Sequence, residues 1–477
     1  MKIVFLNPQG NFDRHDSYLT EHPDFGGQLV YVKEVALALA GLGIDVDIVT
    51  RRIEDPRWPG FESPIDHFDE HADRVRIIRL ECGGTAFLPK EQLWPHLSEL
   101  VDGLIEFYAG ALPDAVTAHY ADGGWMAVLL RHRTGLPFTF TGHSLGAQKL
   151  ERLGATPETF ATIDERFHFA QRIAAERAAM QHAGRIITST RGERFEQYAH
   201  PLYQGAVLPG DDAAFEIIPP GINERIFHAG DAGHGVREDD GEFIEALAQK
   251  TAGDTRPVVL ASSRLDAKKN VTGFVDAWLG SDELRQRARL ALFVRGVDDP
   301  FVELDRLRDD EQLVLAPILE RIEAAGLRDQ VVFVNAGSQH QLAAAYRFFA
   351  RLGSVFVLPS LHEPFGLAPI EAAACGLAVV ATRHGGPSEV FADGTGILVE
   401  PDDPSNMAAG MLEALSRQRE LASAAAHMVQ RRYTWRRTAQ GYLQVAESLA
   451  AEPAAATSQL PALDAADIIR SWLVRHA

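Results

Sequence analysis

Short apolar runs that alternate with helical patterns along nearly the whole chain constrain its fold more than any other feature. A first series of strand candidates lies at 3–6, 44–49, 75–80, 115–118, 137–141, 185–188 and 216–218. A second series follows at 257–262, 290–294, 331–334, 355–359, 378–382 and 396–399. Strands that alternate with helices are typical of a parallel sheet covered on both faces. The sequence therefore predicts an α/β protein with two doubly wound, Rossmann-like domains.

The polar stretch at 229–256 separates the two series and indicates an inter-domain connection with an insertion. We expect an N-terminal domain over 1–235 and a C-terminal domain over 250–435, with a terminal helical segment at about 436–477 that packs back on the first domain. Sheets of this kind bind ligands beyond the carboxyl ends of their strands. The predicted site is therefore a central cleft that the two domains face.

The charge of the chain excludes several partner classes. With 46 Lys and Arg against 66 Asp and Glu, the net charge is −20, which disfavours nucleic acid and anionic membranes as partners. An anionic small ligand then needs a local group of cations or a helix N-terminus. Two cysteines, a start unlike a secretory signal and no apolar run of membrane-spanning length predict a cytoplasmic protein.

Several polar residues of the first half follow predicted strands or open helices. Gly27 stands at a helix start after Gly26, which suits close approach of an anion, although a plain tight turn explains the pair equally well. Tyr120 and His143 come directly after strands, where α/β proteins place ligand contacts.

In the second half, a strand at 257–262 leads into a loop with three cations, Arg264, Lys268 and Lys269. Arginine offers a fork and lysine a point charge, so the loop is a candidate phosphate site. A solvated helix entrance is the alternative interpretation.

The stretch 355–371 carries the densest signal. A buried strand enters a loop that holds Glu363, which cannot be helical before Pro364. A helix is predicted to start near Leu367, with Glu371 about one turn inside it. The backbone N–H groups expected to point out of the helix end are those of Phe365, Gly366 and Leu367. Acidic side chains beside free N–H donors suit a polyhydroxylated ligand that carries a phosphate.

Two other features of the sequence are predicted to serve the fold and not a functional site. Asp45 and Asp47 resemble a metal-binding Asp-x-Asp, but they alternate with apolar residues and are predicted to form the exposed face of a strand. Cys375 lies on an alanine-rich helix and is expected in the core.

Together these motifs resemble those of the sucrose-phosphate synthase family, retaining family 4 glycosyltransferases of the GT-B fold. The similar segments are 5–11, 20–28, 138–146 and 363–367, together with Arg264-x-x-x-x-Lys269-Asn270 and the spacing from Glu363 to Glu371. The resemblance runs from Met1 to about Leu443. His362 and Ala378 depart from the family pattern, which typically has an aromatic and a proline at these positions.

The resemblance implies transfer of glucose from UDP-glucose to fructose 6-phosphate with retention, giving sucrose 6-phosphate and UDP. It implies catalytic roles for His143, Glu363, Arg264 and Lys269. It implies donor binding by Gly27, Arg264, Lys269, Glu363, Phe365, Gly366, Leu367 and Glu371. It implies acceptor binding by Gln28, Lys90, Tyr120, Lys149 and Arg172. No metal site and no cofactor are expected, so Mg²⁺ is not required for the chemistry.

Alternatives remain open at this stage. A related transferase could use free fructose, ADP-glucose or GDP-mannose, and the fold also serves epimerases and pyridoxal-phosphate-dependent phosphorylases. A non-enzymatic nucleotide-sugar sensor is disfavoured because Arg264, Lys269, Glu363 and Glu371 are all present. The motif Asp-x-Asp-x-Thr is absent, so a separate sucrose-phosphate phosphatase is the expected partner. The oligomeric state is left open.

Overall fold

The computed structural model describes residues 1–14, 17–18, 22, 24–207, 210, 212–230, 238–452 and 459–476. These form two units, Met1–Pro219 with Trp435–Ala477, and Pro220–Thr434. The second unit thus begins before the domain boundary predicted at 235–250. The physical reason is that Ile222 donates its backbone N–H to the Tyr433 carbonyl at 3.0 Å, while Phe227 is buried in the core of the second unit. Part of the predicted insertion, 231–237, lies outside the described residues.

The first unit is built on a sheet of eight strands among the described residues, in the order β3-β4-β2-β1-β5-β6-β7-β8. Its elements are β1 (Lys2–Leu6), α1 (Gly27–Ala40), β2 (Asp45–Arg51), β3 (Ile65–Asp66), β4 (Val75–Leu80), α2 (Leu97–Tyr108), β5 (Ala115–His119), α3 (Tyr120–Thr134), β6 (Phe138–Thr141), α4 (Gly146–Arg152), α5 (Phe160–Phe167), α6 (Phe169–His182), β7 (Arg185–Thr188), α7 (Arg191–Glu193) and β8 (Phe215–Ile217). The strands pair in parallel except β3, which is antiparallel to β4. The strand order reverses at β1 and β5, so the loops after these strands lie where such sheets bind ligands.

The second unit has a six-stranded parallel sheet in the order β11-β10-β9-β12-β13-β14. Its elements are α8 (Glu238–Thr251), β9 (Val258–Ala261), α9 (Val271–Leu279), α10 (Asp282–Arg287), β10 (Arg289–Phe293), α11 (Pro300–Glu303), α12 (Asp309–Ala324), β11 (Val331–Val334), α13 (Gln339–Arg351), β12 (Val355–Leu358), α14 (Leu367–Ala374), β13 (Ala378–Thr382), α15 (Pro387–Val390), β14 (Ile397–Val399), α16 (Pro404–Ser416) and α17 (Gln418–Arg432). Here the order reverses between β9 and β12, and the two loops with the strongest sequence motifs follow these neighbouring strands.

The last two helices, α18 (Trp435–Ala450) and α19 (Ala466–His476), belong to the first unit. Helix α18 packs against α1, where the hydroxyls of Tyr31 and Tyr442 lie 3.1 Å apart. Helix α19 places the Trp472 ring 5.2 Å from the ring of His200. Of the predicted break at 453–461, residues 453–458 lie outside the described residues.

The predicted fold class, two doubly wound parallel-sheet α/β domains, is confirmed. The apolar runs that suggested strands are buried from end to end in strands such as β5, β9 and β12, because helices cover both faces of each sheet. No helix in the described part of the chain is long and apolar enough to cross a membrane.

The interpretation of the Asp45–Asp47 pair as an exposed strand face is wrong for Asp47. Only Asp45 is exposed; Asp47 is 1% exposed and accepts hydrogen bonds from Arg76 Nε at 2.7 Å and from the Tyr108 hydroxyl at 2.6 Å. Because β2 is an inner strand, the Asp47 side chain is buried, and the neighbouring β4 supplies the arginine that pairs with it.

Candidate functional site

Two loops of the second unit meet at the point where its strand order reverses. Lys269, in a short 3-10 helix after β9, donates its ammonium group to Glu363 Oε2 at 2.6 Å. Ser360 donates its hydroxyl to the same carboxylate oxygen at 3.2 Å, and Leu361 donates its backbone N–H to the Lys268 carbonyl at 2.9 Å. The structure therefore brings together two residues that the sequence assigned to the site from separate motifs.

A third loop, after β13, holds the backbone of Glu363 in place. Glu363 donates its N–H to the His384 carbonyl at 3.1 Å, and Gly386 donates its N–H to the Glu363 carbonyl at 2.9 Å. At Gly385, which has φ +89°, an added Cβ would lie 2.1 Å from the Glu363 carbonyl oxygen. Only glycine permits this approach. The sequence reasoning missed this loop, whose signal is a Gly-Gly pair after a buried strand.

Helix α14 begins with N–H groups that have no partner among the described residues. Gly366, with φ +91°, turns the chain into a helix that begins at Leu367, as predicted. The backbone N–H groups of Phe365, Gly366 and Leu367 donate to no other described residue. Free donors at the positive end of a helix favour an anion or a hydroxyl oxygen.

The other two predicted donor-site residues of this unit differ in burial. Burial raises the pKa of Glu371, on α14, to about 7. Arg264, on the loop after β9, is exposed to solvent. Arg264 therefore has the freedom to move toward a bound ligand, whereas Glu371 is fixed by the helix that carries it.

In the first unit, three predicted acceptor-site residues form a cation cluster of Lys90, Lys149 and Arg172. Burial lowers the pKa of Lys149, the positive charges of Arg172 and Lys90 lower it further, and the carboxylates of Glu91 and Asp24 partly offset this effect. The Arg172 guanidinium lies 5.5 Å from the centre of the Tyr120 ring. The structure thus gathers four of the five residues predicted to bind the acceptor.

Two cations of this cluster are already paired with carboxylates. Lys90 Nζ donates to the buried Asp24 at 2.5 Å, and Arg172 Nε donates to the buried Glu176 at 2.9 Å. Lys149 makes no ion pair with any described residue, and its ammonium group lies 5.2 Å from the Phe167 ring. Lys149 is therefore the cation of the cluster that is free to bind an added anion.

The partner carboxylates also organise the surrounding backbone. Glu176 accepts hydrogen bonds from the Gly146 N–H at 3.0 Å and from the Tyr203 hydroxyl, and so closes the start of α4. Asp24 accepts the backbone N–H of Lys90 at 3.0 Å. The sequence analysis gave neither carboxylate a role. Asp24 is 66 residues from Lys90 along the chain, and Glu176 lies within a helix.

The fifth predicted acceptor residue, Gln28, donates its side-chain amide to the Asp24 carbonyl at 3.3 Å. Its neighbour Gly27 begins α1 and is exposed, and an added Cβ there would meet no described atom within 4 Å. Packing within the described chain therefore does not explain this glycine. Residues 20–21 and 23 of the similar segment 20–28 lie outside the described residues.

His143 lies on the loop after β6 in a left-handed conformation, with φ +55°. Its Nε2 lies 2.8 Å from Nδ1 of His119, a fully buried residue that the sequence reasoning did not single out. Tyr31 contacts the His143 ring edge to face at 5.0 Å, and the Tyr120 ring stacks on it at 6.1 Å. Burial lowers the pKa of His143 to about 4, so the imidazole is neutral near pH 7.

Metal-binding side chains do not cluster in the part of the chain that the structure describes: no group of three or more His, Cys, Asp or Glu residues is placed to hold an ion. Cys375 is buried in the core of the second unit, as expected.

Two family models match the chain. The model "Glycosyl transferase 4-like domain" matches residues 26–200, and "Glycosyl transferases group 1" matches residues 243–433. The two matches fall on the first and second units, respectively.

Similar proteins share these domains. A probable sucrose-phosphate synthase of Thermosipho melanesiensis is 38% identical over 94% of this chain and 96% of its own length. Sucrose-phosphate synthase 4 of Arabidopsis thaliana is a longer protein that is 30% identical to this chain. The alignment covers 93% of this chain and 47% of that protein. The solved sucrose-phosphate synthase of Thermosynechococcus elongatus is 26% identical, covers 94% of this chain and 98% of its own, and has a TM-score of 0.63.

Proposed function

The chain belongs to the sucrose-phosphate synthase family of glycosyltransferases and is a hexosyltransferase, and we propose that it transfers glucose from UDP-glucose to fructose 6-phosphate with retention at the anomeric carbon. The products are sucrose 6-phosphate and UDP. In this reaction the anomeric C–O bond to the diphosphate breaks, and a bond to the acceptor hydroxyl forms.

The single observation that supports a phosphorylated acceptor is the unpaired ammonium group of Lys149 inside the cation cluster. Lys90 and Arg172 bring two positive charges that Asp24 and Glu176 already balance. A phosphate group brings about two negative charges. Lys149 is the cation of the cluster that has no ion-pair partner among the described residues, so it would bind the phosphate, with Tyr120 and Gln28 available to the sugar. A free sugar acceptor would bring no counter-charge to this half-buried cation.

On the donor side, we assign the diphosphate to Arg264 and Lys269 and the sugar hydroxyls to Glu363 and the N–H groups after it. Glu371, on α14, would accept the ribose hydroxyls, and Gly27 leaves room for the donor. Lys269 is held by Glu363 before any ligand arrives. The pair is thereby fixed in position, which reduces the reorganisation needed when the diphosphate binds.

The departing nucleotide gains negative charge as the glycosidic bond breaks. Arg264 and Lys269 would stabilise that charge more in the transition state than in the ground state. A diphosphate oxygen would accept the proton of the incoming hydroxyl on the same face of the sugar, which leads to retention. Because Arg264 and Lys269 would supply positive charge to the diphosphate, we expect the chemistry to need no Mg²⁺, and turnover to persist in EDTA.

The remaining expectations concern partners and location. We expect a cytoplasmic protein that binds neither nucleic acid nor membrane, given its net charge of −20. A separate phosphatase would then remove the phosphate from the product.

The test is a reaction of the purified protein with UDP-glucose and fructose 6-phosphate, followed by NMR of the product. The proposal expects UDP release together with a phosphorylated disaccharide that keeps the α configuration of the glucosyl carbon. Parallel reactions use ADP-glucose or GDP-mannose instead of UDP-glucose, or fructose instead of fructose 6-phosphate. Turnover with one of these substrates would identify a related transferase. Turnover confined to another donor, or a product with inverted configuration, would contradict the proposal.

A further inference from the structure

A chain of hydrogen bonds runs through buried side chains to His143. Thr139 donates its hydroxyl to Thr117 Oγ1 at 2.8 Å, and Thr117 Oγ1 lies 3.3 Å from His119 Nε2. His119 Nδ1 then lies 2.8 Å from His143 Nε2. Thr117, Thr139 and His119 are all buried, and Thr117 pairs directly with Thr139 across the parallel strands β5 and β6.

The donor count gives this chain a direction. A threonine hydroxyl has one proton, and Thr117 already accepts the proton of Thr139. Its only other hydrogen-bond partner among the described residues is His119 Nε2. A buried hydroxyl proton without an acceptor costs free energy, so Thr117 donates to Nε2.

The direction fixes both imidazoles. His119 accepts at Nε2, so as a neutral ring it carries its proton on Nδ1 and donates to His143 Nε2. Burial lowers the pKa of His119 well below its usual value, so the ring is neutral. His143 accepts at Nε2 and therefore carries its own proton on Nδ1, an atom with no hydrogen-bond partner among the described residues.

We propose that His119, oriented by Thr117, is a positioning residue that holds His143 in the Nδ1–H tautomer, so that His143 offers a ligand an N–H donor and no lone pair. The aromatic packing supports this role. The His119 ring is stacked with Phe5 at 5.3 Å, with Tyr442 at 6.3 Å and with His143 itself at 5.1 Å. Such packing prevents the ring from turning over and exchanging its two nitrogens.

The consequence for the reaction rests on the proposed function. A His143 that can only donate does not act as a general base toward the acceptor hydroxyl. Its N–H instead binds an oxygen of the reacting sugars, and the proton of the acceptor hydroxyl must leave by another group. His119 contributes without touching a substrate, because it sets which nitrogen of His143 carries the proton.

The test reads the tautomer directly. In protein labelled with ¹⁵N-histidine, ring proton–nitrogen correlations distinguish the two neutral tautomers, and the signals are assigned by their loss in His143→Asn and His119→Gln. We expect the Nδ1–H form of His143 in the wild type and in Thr117→Ser. Thr117→Val, of nearly the same shape, removes the donor to His119 and should give a mixture with the Nε2–H form.

Turnover provides the second readout. Thr117→Val should lower kcat about tenfold with little change in the KM for fructose 6-phosphate, Thr117→Ser should restore it, and Thr139→Val should leave the tautomer unchanged because Thr117 keeps its proton. An Nε2–H tautomer of His143 in the wild type, or identical spectra and kcat for Thr117→Val and Thr117→Ser, would overturn the proposal. If the wild type transfers no sugar, the proposed function fails, while the tautomer measurement still decides the role of His119.

Discussion

The two units place positive charge in their candidate sites by different means. In the second unit the segment after β9 carries the exposed Arg264 and the half-buried Lys269, which pairs with Glu363. The backbone N–H groups of residues 365–367, after β12, have no partner among the described residues. In the first unit the cation cluster is set into the protein, and two of its three cations are paired with buried carboxylates.

The difference indicates different demands. A loop site with unpaired donors responds to charge that develops during a reaction, as on a departing diphosphate. A site whose geometry is held by buried ion pairs recognises a ligand whose charge is constant. Substitutions in the loops should therefore mainly affect turnover, whereas substitutions in the buried network should affect stability as well.

The largest expected effect comes from the double variant Arg264→Gln/Lys269→Gln. If these cations stabilise the departing nucleotide, kcat should fall by about 10⁴-fold, which is about a hundredfold for each group. The dissociation constant for UDP-glucose, measured by calorimetry, should rise much less. A double variant of exposed arginines, Arg306→Gln/Arg321→Gln, changes the net charge equally and should keep wild-type kcat. A wild-type kcat in the first double variant would remove the distinction between the two sites.

A stability measurement separates the sites next. Glu176→Gln leaves the buried Arg172 without its counter-charge and should lower the free energy of unfolding by about 3–5 kcal/mol. Glu363→Gln should cost less, because Lys269 and Glu363 are partly exposed and water reaches the pair. Denaturant unfolding compares the two.

The pair variant Arg172→Met/Glu176→Met is the control for that comparison. Replacing a buried ion pair by apolar side chains is often neutral, so most of the stability lost in Glu176→Gln should return. Equal losses of unfolding free energy for Glu176→Gln and Glu363→Gln would contradict the contrast between a buried and a partly exposed ion pair.

A smaller effect concerns pH. Burial raises the pKa of Glu371 to about 7, so the folded protein holds this proton between pH 4.5 and 7, where an unfolded chain has lost it. The protonated Glu371 carboxyl therefore contributes fully to the free energy of unfolding below about pH 4.5, and this contribution is lost as the pH rises through about 7.

Binding of the donor should show the opposite dependence on pH. If the ionised Glu371 accepts ribose hydroxyls, affinity for UDP-glucose should rise about tenfold from pH 6 to 8, following the ionised fraction of the carboxyl. Glu371→Gln should bind more weakly and with a flatter pH profile. Parallel profiles for the two proteins would show that Glu371 does not contact the donor.

The smallest expected effect belongs to Gly27→Ala. A Cβ at this position meets no described atom, and alanine is the better helix former, so the melting temperature should not fall. A loss of kcat/KM for UDP-glucose by a few fold would then report contact with the ligand. A loss of thermal stability instead would show that glycine is needed by the chain itself.

Much of the fold could be predicted because burial on both faces leaves a plain sequence signal. All thirteen apolar runs proposed as strands are strands in the structure. The two-residue β3 and the short helices α4 and α5 were missed, since segments of this length carry too little periodicity. Asp47 was misjudged because alternation along β2 does not reveal Arg76 on the neighbouring strand.

The candidate site was predictable where a residue type itself implies chemistry, as with Lys269 and Glu363. Residues that pair across a long stretch of sequence, such as Lys90 and Asp24, could not be predicted to do so. The pairing of Arg172 with Glu176 could have been predicted, because the two residues are one helical turn apart. His119 could have been found, because it ends the strand next to the one that leads to His143, and parallel neighbours end at the same edge of a sheet.

The most direct test of the account is the ratio of kcat/KM for fructose 6-phosphate to that for fructose, with UDP-glucose as donor, in the wild type and in Lys149→Gln. We predict a wild-type ratio of about 10³ or more and a fall of about tenfold or more in the variant, since the variant lacks the half-buried ammonium group that binds the phosphate. A wild-type ratio near one, or a ratio that Lys149→Gln leaves unchanged, would contradict it.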